Sequence, residues 1–403
     1  MGLRNPVVLA GVVGVGVPVL AAGVVAALTI KTGESGPDSV TTDTTTTPAT
    51  AATVTAAAMT PAAATEAAAT DPVGFQPDSI TFISADEGWV LGRTYPCTSE
   101  PCLALQHTTD GGQTWQQAPL PAPLRDPGSK GHWLKFADAR NGWIRAGDKL
   151  FATHDGGKTW REVDLDIDPV VDAWSFTISD DSVYIATVQP GERTVLFTSP
   201  LTRDAWTGPT EIPVPGSGGP DPSAAVTVLG SRAWMVVTNR GEDGARSVDG
   251  TWTPWKLPCG GNGPAAWHPF SEKRLVALCG RFGPYSDGGT TTELMTSTDG
   301  GATFTETGQL SPTLSAGAAL IPADPTHLVA ALDDHLLTSA DGGATWTTTY
   351  RAPAQGWRES SGHFVTETTG FVIMSQTGSK HAATTMLATQ DAGRTWTPVS
   401  FGS

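Results

Sequence analysis

Basic residues are scarce in this chain: 24 Lys and Arg stand against 40 Asp and Glu, for a formal net charge of -16. Such a chain repels a phosphate backbone instead of gathering it through counterion release, so nucleic acid is not an expected partner. Cysteine is scarcer still, with only Cys97, Cys102, Cys259 and Cys279, and no CxxC pair or neighbouring histidine to hold zinc. The eight histidines lack an HExxH context, and no GxSxG serine occurs, which removes the zincin and serine-hydrolase signatures. No cofactor or metal is expected.

Other motifs fail on a single missing residue. Gly157-Lys158-Thr159 imitates the end of a phosphate-binding loop, but Ala152 stands where the first glycine is needed. Gly261-Asn262-Gly263 lies beside Cys259 and Pro264, with no helix to receive a dinucleotide. Asp164, Asp166 and Asp168 alternate like calcium ligands, yet Pro169 replaces the turn glycine and no glutamate closes the loop.

One long apolar run exists, Pro6 to Ile30, with Arg4 before it and Lys31, Glu34 and Asp38 after it. At about twenty residues per bilayer crossing it is long enough to span. Its length favours an uncleaved anchor at residues 1–32, although Val25-Ala26-Ala27 also offers a small-residue cleavage site. The flanking charges keep the N-terminus inside and the bulk outside. The expectation is a cell-membrane protein with its folded part extracytoplasmic, or a secreted one if the segment is cut. Membrane contact would then be through the N-terminal segment only. Position 6 is proline, which argues against myristoylation at Gly2. Residues 33–72 are Thr, Ala and Pro with almost no large apolar side chain, so they read as a disordered spacer of high-GC bacterial type. Outside the cytoplasm the four cysteines would be oxidised. Three pairings are open, and the local one, 97 with 102 and 259 with 279, is the expected one.

Periodicity organises residues 73–403. The segments TDGGQTW, HDGGKTW, TDGGATF, ADGGATW and QDAGRTW end at Trp115, Trp160, Phe304, Trp346 and Trp396, and LTRDAW and SVDGTW are eroded copies ending at Trp206 and Trp252. Successive aromatic positions lie 45, 46, 46, 52, 42 and 50 residues apart, the length of one four-stranded propeller blade. A second element precedes each copy, centred on Trp89, Trp143, Tyr184, Trp234, Leu275, Leu328 and Phe371, and an apolar stretch such as LKFA or HFVT precedes that in turn. The order is strand a, turn, strand b, loop, strand c, box turn, strand d. The predicted fold is therefore all-β, a seven-bladed propeller. The box chemistry is structural: glycines such as Gly111 and Gly112 take positive φ, and Asp110, Asp155, Asp299, Asp341 and Asp391 accept hydrogen bonds from their own turns.

These boxes resemble the Asp-box (BNR) repeats of sialidases and sortilin-type receptors. The pairs DEGWVLG with TDGGQTW and RNGWIRAG with HDGGKTW are most similar to the photosystem II assembly and stability factor family. The resemblance covers residues 78–401 and implies a propeller whose boxes sit at the periphery, away from the ligand face. A sialidase would also need an early Arg-Ile-Pro motif, which is absent before Trp115, and a tyrosine nucleophile. Of the four tyrosines, Tyr95, Tyr184, Tyr285 and Tyr350, the second and fourth fall in strands. The expected function is non-catalytic binding or assembly with a protein or cell-envelope glycan; the alternative is a sialidase-like glycoside hydrolase.

Candidate ligand residues follow from position. Trp133 and Trp174 lie ten residues before a strand b aromatic, where the other blades hold Ser79, Ala224, Ala265, Ala318 and Ser361. Trp357, Arg358 and Glu359 read as a d-to-a loop on the same face. The three tryptophans are expected around one end of the channel, on the side opposite the box turns; plugging the channel or packing loops is the simpler account of them. Arg240, Arg246, Arg281 and Tyr285 are the remaining candidates, in b-to-c loops.

Overall fold

The computed structural model describes residues 73–402, except 98–101, 123, 125–131, 166–173, 190–192, 215–222, 238–242, 260–265, 281–291, 311–317, 355 and 377–382. The apolar run at 6–30 and the spacer lie outside the described residues. Among those described there is no helix, and so none that crosses a membrane. The strands form seven antiparallel sheets of four, each in the sequence order a-b-c-d. Blade 1 comprises Gly74–Phe82, Gly88–Tyr95, Leu103–Thr108 and Gln116–Ala118. The inner strands a of blades 2 to 7 are His132–Phe136, Trp174–Ser179, Ala224–Leu229, Ala266–Pro269, Ala319–Pro322 and Trp357–Phe364.

Each sheet buries both faces against its neighbours, and the core accordingly divides into seven clusters, one per junction. The cluster between blades 1 and 2 gathers Trp89, Leu91 and Leu105 with Leu134, Phe136 and Ile144. The cluster between blades 7 and 1 gathers Ile80, Phe82 and Val90 with Phe371, Ile373 and Met386, and so closes the ring. No sheet mixes N- and C-terminal strands, hence closure rests on side-chain packing and not on a shared ladder. Phe82 stacks on Phe371 at 3.6 Å, and the His363 ring lies 3.1 Å from the backbone nitrogen of Phe82.

The box aromatic of every blade packs at the junction with the preceding blade. Trp115 meets Phe82 of its own blade edge-on at the closing junction, and Trp160 does the same to Phe136 of blade 2. The glycine that opens strand b has a steric origin. A Cβ added at Gly142 would lie 2.5 Å from the Phe136 ring, and one at Gly88 would lie 2.5 Å from Phe82. Blades 5 and 6 have Pro269 and Pro322 in place of that phenylalanine, and there Leu275 and Leu328 replace the glycine. Gly142→Ala should therefore cost about 1–3 kcal/mol by overpacking, measured by urea unfolding against an Ala control on the exposed strand d.

The same comparison corrects the repeat alignment. Leu275 and Leu328 correspond to the glycine and not to Trp89: they face the preceding blade, and Val276 and Val329 face the following one. In a strand a slip of one residue reverses the face.

Candidate functional site

The five boxes share one geometry. Thr108 Oγ1 donates to Asp110 Oδ1 at 2.8 Å, the Thr114 amide donates to the same oxygen at 2.9 Å, and Thr114 Oγ1 donates to Oδ2 at 2.6 Å. The Gly112 amide returns a bond to Thr108 Oγ1 at 3.0 Å. Asp155, Asp299, Asp341 and Asp391 repeat the set, with Thr153, Ser297, Ser339 and Thr389 as the buried hydroxyls. Hydrogen bonds from the box threonine hold the carboxyls of Asp110, Asp155 and Asp341 down at about 2. Carboxylates saturated in this way within their own turns are structural caps. The hydroxyl two residues before each aspartate completes the cap; a search on DGGxTW alone passes over it.

The eroded copies diverge in different directions. In blade 3 Ser199 keeps the hydroxyl role, accepting from the Ala205 amide at 3.0 Å, while Asp204 ties Arg161 and His154 of blade 2 at 2.7 and 3.2 Å. In blade 4 the box is a two-residue turn, with Asp249 at φ 50° and Gly250 at φ 78° between Val248 and Thr251. Both expected disulfides form, Cys97 with Cys102 and Cys259 with Cys279, at Cα separations of 5.5 and 5.2 Å.

Trp133 and Trp357 do not meet. Trp133 is 8 % exposed and packs on Phe176 at 4.8 Å, between blades 2 and 3. Trp357, also 8 % exposed, lies between blades 6 and 7 and begins strand a instead of occupying a loop. The Trp174 side chain lies outside the described residues, but its backbone register is clear. The a-to-b step from Ile178 to Val183 is one residue shorter than that from Phe136 to Gly142. Ser175, and not Trp174, is therefore the register equivalent of Trp133. The Ser175 hydroxyl accepts from the Val226 amide of blade 4 at 3.0 Å, as Ser79 accepts from the Leu134 amide of blade 2 at 3.0 Å. Arg246 also departs from expectation: it sits mid-strand c, paired with Trp234 and Thr253, and not in a b-to-c loop. Arg240, Arg281 and Tyr285 lie outside the described residues.

What the fold does gather is a polar inner wall. At one register level the seven strands a present Thr81, Lys135, Thr177, Thr227, His268, Ile321 and His363, one per blade, each toward the next blade. Thr81 Oγ1 donates to the Leu134 carbonyl at 3.0 Å, which occupies the free inner edge of the neighbouring strand. Burial pushes His268 down to about 4. Burial, and then the charge of Lys135, push His363 down to about 3, so both rings are neutral at pH 7. Glu359 of blade 7 faces Lys135 electrostatically; burial raises the acid to about 8 and lowers the amine to about 8. At the strand end away from the boxes, Asp78 Oδ2 receives Arg93 Nη1 at 2.8 Å and His132 Nε2 at 3.1 Å. Blades 7, 1 and 2 thus hold Glu359, Lys135, Asp78, Arg93 and His132 along one arc. Of this set only Glu359 was a sequence candidate. The available signal was a lysine or histidine interrupting an apolar inner stretch, as in WLKF and GHF.

A closed ring of seven sheets with Asp-box turns and a polar inner wall defines a β-propeller of the Asp-box class. The BNR/Asp-box repeat model matches residues 106–117. No characterised protein matches the chain by sequence. Among solved structures, YCF48 from Cyanidioschyzon merolae is similar at 16 % identity and a TM-score of 0.52, over 79 % of this chain and 96 % of that one. YCF48 bound to D1 peptide is similar at 18 % identity and 0.50, over 79 % and 94 %. A polysaccharide lyase described as an ulvan lyase is similar at 11 % identity and 0.53, over 81 % and 96 %. At these identities the likeness is one of fold.

Proposed function

We propose that this chain is a non-catalytic binding or assembly propeller, displayed outside the cytoplasm on the N-terminal segment and spacer, that holds a protein segment or a cell-envelope glycan. The observation that carries the reading is the division of polar groups. The box carboxylates are all engaged within their own turns, while the polar side chains of blades 7, 1 and 2 are collected on the inner wall. A rigid scaffold that gathers such groups on its inner strands is suited to recognition. Among the similar folds, one is described with a bound peptide and another is a lyase described with a bound glycan, so the scaffold accommodates either class.

The glycoside hydrolase reading needs two free carboxyls flanking a bond. On this wall Asp78 is already bound by Arg93 and His132, which leaves Glu359 without a second free carboxyl among the described residues. The full-length protein in detergent should bind but not cleave sialosides or other glycans. Turnover that follows the protein through purification and is lost in Glu359→Gln would overturn the reading. Accessibility of the propeller to protease on intact cells tests the display; protection in intact cells and cleavage only after lysis would refute it.

A further inference from the structure

Each intact box is tied to the a-to-b turn of its own blade, where the residue after the box aspartate donates its amide to a turn carbonyl. Asp86, Arg140, Lys273, Thr326 and Thr368 supply that carbonyl in blades 1, 2, 5, 6 and 7. Three residues after the aspartate stand Gln113, Lys158, Ala302, Ala344 and Arg394. Of these five blades, only blade 2 places a cation at both positions. Arg140 and Lys158 are exposed, and among the described residues neither is paired with a carboxylate; Arg140 Nε donates to the His154 carbonyl at 3.4 Å, which leaves its Nη groups available.

Both cations line a cavity of about 640 Å³ between blades 1 and 2, a size within the range of about 300–1,000 Å³ for ligand sites. Strand d of blade 1 forms the other wall, from Gln116 to Pro119. The strand register accounts for the opening. Ala118 pairs with Leu105 and so holds the level that Trp255, paired with Gly244, holds in blade 4. Trp255 Nε1 closes the junction of blades 4 and 5 onto the Gly301 carbonyl at 2.6 Å, and Trp234 Nε1 closes it onto the Gly300 carbonyl at 3.1 Å. Between blades 1 and 2 neither bond has a counterpart: Ala118 has no donor, and Trp89 Nε1 makes no hydrogen bond.

The polar groups of the cavity differ in what they still offer. The Asp155 carboxylate is filled by Thr153 and Thr159, and Glu87 Oε1 lies 3.2 Å from His107 Nε2. The two cations and the exposed carboxamides of Gln116 and Gln117 are left at the mouth, where they suit a carboxylate flanked by peptide amides. Asp155 and Glu87 share the wall and would repel a dianion such as phosphate more strongly than a single carboxylate. Trp89 is stacked between Phe136 at 3.9 Å and His107 at 4.5 Å, so neither face of the indole is open to a sugar ring. Strand d is the outer strand of its sheet, and its free edge is a template for extended chain. With only three residues in that strand, the acidic side chain carries most of the selectivity. The net charge of -16 opposes an acidic ligand mainly at long range, since screening confines such fields to about 8 Å at physiological salt.

We propose that the cavity between blades 1 and 2, at the box end of the propeller, is a second binding site, for an extended protein segment whose Asp or Glu side chain enters between Arg140 and Lys158. The site is separate from the inner wall and goes beyond the function proposed above.

The test titrates full-length protein in detergent, at low salt, with short peptides of varied sequence that carry one central Glu or Asp, with the matched Gln and Asn peptides, with oligouronates and with inorganic phosphate. Acidic peptides should bind at least about threefold more tightly than their amides, and Arg140→Gln and Lys158→Gln should each weaken them about two- to fivefold and together about tenfold. Arg394→Gln, which removes a cation from the same box position of blade 7, should change nothing. All three side chains are exposed, so the variants keep the fold. Equal affinity for acidic and amide peptides overturns the site, as does undiminished affinity in the double variant or an equal loss in Arg394→Gln. Binding of uronates or phosphate alone overturns the protein segment as occupant, and no binding by any probe overturns the site outright. None of these substitutions touches the inner wall, so the binding function proposed above is decided by its own test.

Discussion

Trp133→Ala should lower the unfolding free energy by about 3–5 kcal/mol, the range for removing a buried aromatic from a packed core. The indole fills the junction between blades 2 and 3 against Phe176, in a cluster that also holds Trp143, Val183, Ile185 and Phe197. Nothing moves into the space easily, because both sheets are held by neighbours on their other faces. Urea unfolding monitored by far-UV circular dichroism measures the loss. Trp357→Ala, at the start of strand a of blade 7 in the junction with blade 6, should show a loss of the same order. A variant as stable as the native protein but unable to bind ligand would return these residues to the site from which the structure removes them.

The second large effect is on acid stability. His268 and His363 have folded pKa values depressed to about 4 and about 3, below the 6.5 of an unfolded histidine. Each therefore contributes stability that is complete above pH 6.5 and is lost as the pH falls toward its folded value, at about 1.4 kcal/mol per unit. Glu359 acts in the opposite sense. Its folded value, raised from 4.5 to about 8, means that the folded state binds the extra proton between those limits, so stability rises as pH falls through that window. Between pH 6.5 and 4.5 two unfolded-state protons oppose one folded-state proton. The native protein should lose about 1.4 kcal/mol per pH unit there, and Glu359→Gln about twice that. His363→Gln should show almost no slope. Denaturant titrations at half-unit intervals check all three; equal slopes would show that these groups do not titrate as the inner wall requires. The boxes enter only later, since Asp110, Asp155 and Asp341 protonate well below pH 3.8.

Much of the architecture was legible because it is repeated. A DGGxTW turn needs two glycines at positive φ and a carboxylate for its amides, requirements local enough to be written in consecutive residues and copied blade after blade. Both disulfides were legible for a similar reason, being short in sequence. The site was not. The position of Trp133 and Trp174 ten residues before a strand b aromatic assumed equal a-to-b turns, and with one residue fewer in blade 3 the register equivalent of Trp133 is Ser175. Leu275 and Leu328 were misaligned in the same way, because the Phe-over-Gly contact that marks the register elsewhere is replaced by proline and leucine.

Taken alone, the sequence determined the number of blades, their order, the cap of each box and the local pairing of the cysteines, all of which depend on contacts within about fifty residues. Only the tertiary structure decided which side chains share the inner wall. His363 touches Phe82 across 281 residues, and Lys135 faces Glu359 across the closing blades. Ring closure sets those distances, and it depends on the sum of seven packing angles that no single repeat encodes. Trp133 and Trp357 were drawn into the junctions by burial, and the polar wall consists of the side chains that one register level of strand a turns toward the next blade.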